Sequence, residues 1–182
     1  MKQNLPGVFT ARKKDGTIYY RASITHKKKH ISLGSYPSPF MAYAAYLEGI
    51  TLLSDGALTL EDFSKHRVLP FEKWVCLINF RDNNIYFATP IYVRKNYFEY
   101  LLSPEYILKF DIEDLFFYSS HKIMRRGRHF FVAEYGMQTN IMNRYGIKNY
   151  AVRGRDYRFV NGDDLDFRYE NIEIYNHYHG VI

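Results

Sequence analysis

Residues 19–25, Tyr-Tyr-Arg-Ala-Ser-Ile-Thr, alternate strictly, with Tyr20, Ala22 and Ile24 on one side and Tyr19, Arg21, Ser23 and Thr25 on the other. A period of two over that length demands a half-buried strand, and such a strand is stable only with neighbours. The flanking sequence supplies them. Asp15-Gly16 is a turn signal that closes a first strand over 8–13, and His30-Ile31-Ser32-Leu33 resumes the alternation after a basic turn. Ser38-Pro39 then offers an N-cap and a first-turn proline, and Ala42, Ala45, Tyr46 and Gly49 recur at helical spacing. The expectation is a three-stranded antiparallel sheet covered on its apolar face by one helix with a small-residue stripe. The opposite face, carrying Lys13, Arg21, Ser23, Thr25, His30 and Ser32, is left for a partner.

Charge is concentrated in the same segment. Residues 1–34 hold eight Lys or Arg against Asp15 alone, a local charge of +7, whereas the whole chain of 182 residues carries +6. A basic, polar sheet face suits a polyanion, because each cation near a phosphate releases counterions, and a sheet can enter the major groove. The cations are Arg12, Lys13, Lys14, Arg21, Lys27, Lys28 and Lys29, with Lys2 ahead of the sheet. An ordinary solvated basic face is the alternative reading of charge alone. A second block, from 119 to 160, holds nine Lys or Arg against Glu134 and Asp156, again +7. Within it Arg125-Arg126-Gly127-Arg128 reads as a hairpin tip suited to clamping a phosphate backbone, with Arg153 and Arg155 further along.

Other classes are disfavoured. One cysteine, Cys76, makes neither a disulfide nor a Cys-rich zinc site and reads as a small core residue; no apolar run approaches a membrane span. The first residues lack the apolar core of a secretory signal, so a reducing cytoplasm is expected. With 47% hydrophobic and 18% aromatic residues the chain can bury a substantial core. Asp163, Asp164 and Asp166 have part of the look of a calcium loop but lack its spacing, and read as a solvated turn. No cofactor and no metal are expected.

Past Gly56 the pattern changes. The expected division is a first domain over 1–57, a linker over 58–68 and a second domain over 69–176. In the second, 74–80 reads as a strand, Arg81-Asp82-Asn83-Asn84 as a turn and 85–88 as its hairpin partner. Residues 93–102 read as a helix, and 130–135 and 137–141 as strands about Gly136. The fold class is therefore α+β, a sheet-and-helix domain followed by one rich in β hairpins.

Two resemblances sharpen these expectations. Gly7-Val8, Tyr20-Arg21-Ala22-Ser23-Ile24, Ile31-Ser32-Leu33-Gly34-Ser35-Tyr36 and the helix residues Ala42, Ala45 and Tyr46 resemble the apetala and ethylene-response-factor class of DNA-binding domain. That resemblance implies a sheet lying in the major groove, with Phe9, Ala11, Lys13, Ser23, Thr25, His30 and Ser32, and Arg21 beside them, as the reading face. Phe110-Asp111-Ile112-Glu113-Asp114-Leu115 and 160–172, with Val160-Asn161-Gly162 at their head, resemble the HNH homing-endonuclease fold, which implies one divalent metal and a general-base histidine. Here Arg158 and Phe159 stand where the family has Asp and His, and Asn143 stands before Arg144 where it often has His. The implied function is a non-catalytic protein that binds double-stranded DNA, a bacterial or phage regulator built from homing-endonuclease parts. An active metal-dependent HNH endonuclease and a protein-interaction module are the alternatives. Gly180-Val181 repeats Gly7-Val8, so 177–182 is expected to open a further DNA-binding repeat.

Overall fold

In the computed structural model, which describes residues 4–177, the chain is α+β and divides into two compact units, Met1–Tyr86 and Phe87–Ile182. The first opens with an antiparallel meander of β1 (Val8–Arg12), β2 (Ile18–His26) and β3 (Lys29–Tyr36), followed by α1 (Pro39–Ser54). Local chemistry sets each joint. At the first turn the Gly16 amide donates to the Lys13 carbonyl at 3.0 Å and the Thr17 amide to Asp15 Oδ1 at 2.9 Å. At the second, Lys27 and Lys28 both take left-handed backbone, with φ of 47° and 65°. Two such residues are what a two-residue hairpin turn demands, and lysine adopts that conformation at a cost.

The register puts Tyr20 opposite Tyr36, Ala22 opposite Gly34 and Ile24 opposite Ile31, with a bulge between Ala22 and Ser23. Gly34, at φ +109°, takes the kink, so Ile31, Leu33 and Tyr36 all turn inward although their spacing is two and then three. Onto this face packs α1. Ser38 Oγ caps the Met41 amide at 3.1 Å, and Ala42, Ala45, Gly49 and Leu52 are buried. A Cβ on Gly49 would stand 3.0 Å from Leu33 Cδ1, and one on Gly7 only 2.1 Å from Tyr46 Cδ2. The small residues thus set how near the helix lies.

The region 58–86 departs from expectation. Residues 74–80 form no strand: they lie in α2 (Phe71–Asn83), and 85–88 pair with nothing as a strand. Trp74, Val75, Cys76, Leu77, Ile78, Asn79 and Phe80 are all buried, so the helix has no polar face across these two turns. A short run that is apolar all round carries no period, and it cannot be told from a buried strand by pattern alone. Nor is 58–68 a free linker. The Trp74 indole donates to the Thr59 carbonyl at 3.2 Å, and Glu48 of α1 accepts from the Val68 and Leu69 amides, both at 2.9 Å. Arg81 reaches back to the carbonyls of Leu52 at 3.2 Å and Asp55 at 2.7 Å, at the C-terminal end of α1. These bonds tie the segment and α2 to the first unit, and the division falls at 86/87.

The second unit begins with a meander of β4 (Ile91–Val93), β5 (Tyr97–Ser103) and β6 (Tyr106–Asp111). A helix over 93–102 is therefore not formed. The stretch contains alternating Phe98 and Tyr100, which pair across to Phe110 and Leu108 and are buried; aromatic pairs of this kind favour a pleated surface. A short α3 (Leu115–Ser120) leads to a second meander, β7 (Ile123–Arg126), β8 (His129–Glu134) and β9 (Met137–Asn140), as expected about Gly136. Finally β10 (Tyr157–Phe159) pairs with β11 (Ile172–Ile174). The core is aromatic: Phe110 stacks on Tyr118 at 4.1 Å and on Phe167 at 5.5 Å. Among the described residues no helix is long and apolar enough to cross a membrane. The expected repeat at 177–182 lies outside the described residues except for His177, which is exposed.

Gly7→Ala is expected to cost about 1–3 kcal/mol by thermal or urea denaturation, from the left-handed φ of +70° and the clash with Tyr46. In a Tyr46→Ala background the penalty should shrink, because only the backbone strain remains.

Candidate nucleic-acid interface

The face of the first sheet turned away from α1 is read from the register. Phe9 lies across from Arg21 and Arg21 from Ser35, Ala11 from Tyr19, Ser23 from Ser32, and Thr25 from His30. Paired residues share a side, so the residues expected to read DNA do lie together on one face. Phe9 is 55% exposed. Arg21 runs along Tyr19, donating to its hydroxyl at 3.3 Å with the guanidinium 5.7 Å from the ring centroid. Lys13, Lys14, Thr25, His30 and Ser32 are exposed, Lys13 directly beyond the end of β1.

Of the expected contacts, one is covered and three fall elsewhere. Ser23 is only 7% exposed, because the Gly7 segment runs beside it and the Gly7 carbonyl accepts the Ser23 amide at 2.9 Å. Lys29 pairs with His26, one residue out of phase with Thr25 and His30; its ammonium sits 5.5 Å from the Tyr86 ring centroid. Lys27 donates to Asn84 Oδ1 at the end of α2. Both lysines therefore reach residues 84 and 86, at and beyond the C-terminal cap of α2, and not the open face. Arg12 pairs with Ile18, placing it on the helix side at the sheet's end, where it is exposed.

In the second unit the basic block separates into two groups. Arg125 and Arg126 end β7, Gly127 turns at φ +60°, and Arg128 stands exposed at the tip, as expected of a hairpin. Arg125 lies 4.2 Å over the Tyr106 ring, and its Nη1 donates to the Tyr106 hydroxyl at 3.1 Å and the Gly127 carbonyl at 2.8 Å. Arg153 lies 5.2 Å over Phe159 and donates to Asp164 Oδ2 and the Gly162 carbonyl, each at 3.2 Å. Arg125, Arg128 and Arg153 border one cleft of about 410 Å³.

The remaining arginines are engaged in the fold. Arg155 forks onto Asp156, which is 1% exposed and also accepts the Val152 amide at 2.7 Å. Arg144 stacks 3.3 Å over Phe117 and pairs with Asp114 at 3.6 Å, and Arg158 pairs across the hairpin with Glu173 at 2.5 Å. Asp114 Oδ2 and the hydroxyls of Tyr118 and Tyr145 are buried with no hydrogen-bond partner among the described residues. Burial pushes the Asp114 carboxyl and both phenols upward, with Arg144 pulling Asp114 and Tyr118 back part of the way.

The loop after β10 closes on itself. The Asn161 amide donates to Asn171 Oδ1 at 2.8 Å, Asn161 Nδ2 to Asp166 Oδ2 at 3.0 Å, and Asn171 Nδ2 to the Asp166 carbonyl at 3.0 Å. Arg168 grips Asp166 at 2.9 and 2.7 Å. Burial would raise the fully buried Asp166 carboxyl, but the bonds from Arg168 and Asn161 outweigh it and hold the group below its usual range. Asp163 accepts the Leu165 amide at 3.0 Å and Asp164 meets Arg153, so these acids serve the turn. Phe159, where the HNH resemblance implies the general base, is 7% exposed and edge-on to Phe167 at 5.9 Å. A phenyl ring in the core and an ion-paired arginine do not fit the divalent ion that the HNH resemblance implies. Among the described residues no three His, Cys, Asp or Glu side chains are grouped to hold a metal.

No family model, curated protein or solved structure matches the chain.

Two aspartates make opposite contributions with pH. Asp166 titrates below the ordinary 3.8, so its stabilisation is present above that value and is lost as pH falls through the lowered one. Asp166→Asn is expected to cost about 2 kcal/mol in urea unfolding at neutral pH, and less in acid. Asp114 titrates above 3.8, so its favourable contribution is complete below 3.8 and disappears as pH rises through the raised value. Asp114→Asn should therefore stabilise the protein at neutral pH relative to the parent, with the gain fading in acid.

Proposed function

We propose that the chain is a non-catalytic protein that binds double-stranded DNA, a bacterial or phage regulator built from homing-endonuclease parts. On this reading the first unit is of the apetala and ethylene-response-factor type and the second descends from an HNH nuclease. The observation that carries it is the uncovered face of β1–β3. That face joins Lys13 and Arg21 to Thr25, His30 and Ser32, with exposed Phe9, on a sheet whose other side is filled by α1. Lysines and one propped arginine on a polar sheet supply phosphate contacts, with short hydroxyl and imidazole groups between them for base edges. The hairpin tip at Arg126 and Arg128 adds cations in the second unit, both exposed.

Loss of catalysis has its own support. Phe159 cannot accept a proton, and Arg158, already paired to Glu173, repels a cation. Phe159 belongs instead to the core of the second unit.

Three outcomes are expected. Affinity for a labelled duplex in gel-shift assays should fall roughly tenfold or more between about 50 and 200 mM salt. Lys13→Ala with Arg21→Ala should weaken binding across many sequences, more than Lys27→Ala with Lys29→Ala, whose ammonium groups reach Asn84 and Tyr86; equal affinity of the first pair and the parent would overturn the sheet-face reading. Supercoiled plasmid incubated with the protein and magnesium should stay intact, and nicking that chelator abolishes would overturn the non-catalytic reading.

A further inference from the structure

The cleft of the second unit is too small for a duplex and too aromatic for a simple anion site. Its volume, about 410 Å³, lies in the range of small-ligand pockets. Its walls come from the start of β6, the β7–β8 tip, the end of β9, and the segments around β10 and 164–167. The buried rings of Phe130, Phe159 and Phe167 are among its lining groups, with half-buried Tyr157 beside them. The three guanidinium groups at its border are answered by Asp164 alone, which Arg153 already neutralises.

The donors are set in advance. Both hydrogen bonds of Arg125 leave from Nη1, so Nε and Nη2 keep their protons for a ligand while Tyr106 fixes the plane of the guanidinium. Arg128 makes no ion pair or hydrogen bond among the described residues. Asn140 accepts the Met142 amide through Oδ1 at 3.0 Å, and its amide protons meet no acceptor among the described residues. A fixed guanidinium fork suits phosphate, aromatic walls suit a flat heterocycle, and an open carboxamide suits the edge of a base.

We infer that this cleft binds one nucleotide unit, its phosphate on Arg125 and Arg128 and its base against the aromatic wall. The unit comes either from a strand, as an unpaired nucleotide, or from a free mononucleotide. The strand source rests on the DNA-binding reading above, and the free source does not.

The test uses the full chain. Calorimetry with deoxyadenosine monophosphate, deoxyadenosine and inorganic phosphate should show the monophosphate binding at least about tenfold tighter than either fragment. A labelled duplex with one unpaired nucleotide should bind at least about fivefold tighter than the fully paired duplex. Arg125→Lys keeps the charge but loses the fork, and should bring that ratio to one while the melting temperature is unchanged. Monophosphate binding without a preference for the unpaired nucleotide assigns the cleft to free nucleotides. Monophosphate binding without any duplex binding sustains the cleft and overturns the DNA reading. Duplex binding with neither a preference nor monophosphate binding above that of phosphate overturns the cleft inference alone.

Discussion

The close approach of α1 to the first sheet governs what the first unit can present. Ala42, Ala45 and Gly49 bring the helix down onto Ala22, Ile24 and Leu33, and the fit at Gly49 leaves no room for another carbon without movement of Leu33. Because that face is filled, the alternation along β2 commits Arg21 and Thr25 to the other. Tyr46 closes the same contact at Gly7, and the Gly7 carbonyl in turn covers Ser23. One packing contact therefore sets both the open face and its limits.

In the second unit the aromatic core performs the corresponding task, and it does so partly by consuming charge. Arg144 on Phe117, Arg125 on Tyr106 and Arg153 on Phe159 extend ring stacks with guanidinium groups. Arg155, Arg158 and Arg168 are held by Asp156, Glu173 and Asp166. A count of cations along this stretch thus overstates the field available to a polyanion. Arg126 and Arg128 at the β7–β8 tip stay exposed to meet one. The same economy removes Phe159 from any chemistry, since its ring is an edge partner of Phe167.

Strands with one wet face were legible because burial on one side writes a period of two into the residues, as at 19–25; the cap at Ser38 and the small stripe of α1 were legible for the same local reason. The hairpin at 125–128 was marked by its glycine. Residues 74–80 were not legible, because a helix buried on every side erases its own period, and neither was the strand in 93–102, because its buried Phe98 and Tyr100 stand beside Tyr97, Leu101 and Leu102 with little polar contrast. The segment 58–68 looked like a linker since nothing local shows that Glu48 and Trp74 will hold its backbone.

The sequence by itself determined the β1–β3 meander, its helix, the basic face and the β7–β9 meander, all of which follow from neighbours within a few residues. Only the tertiary structure decided that Lys27 and Lys29 reach Asn84 and Tyr86, that Arg155 is spent on a buried aspartate, and that Arg125, Arg128 and Arg153 border one cleft with Tyr106 and Tyr157. Each of those outcomes joins side chains from separate elements. Which cation stays free depends on which acid or ring the fold brings beside it, and residue order does not carry that distance.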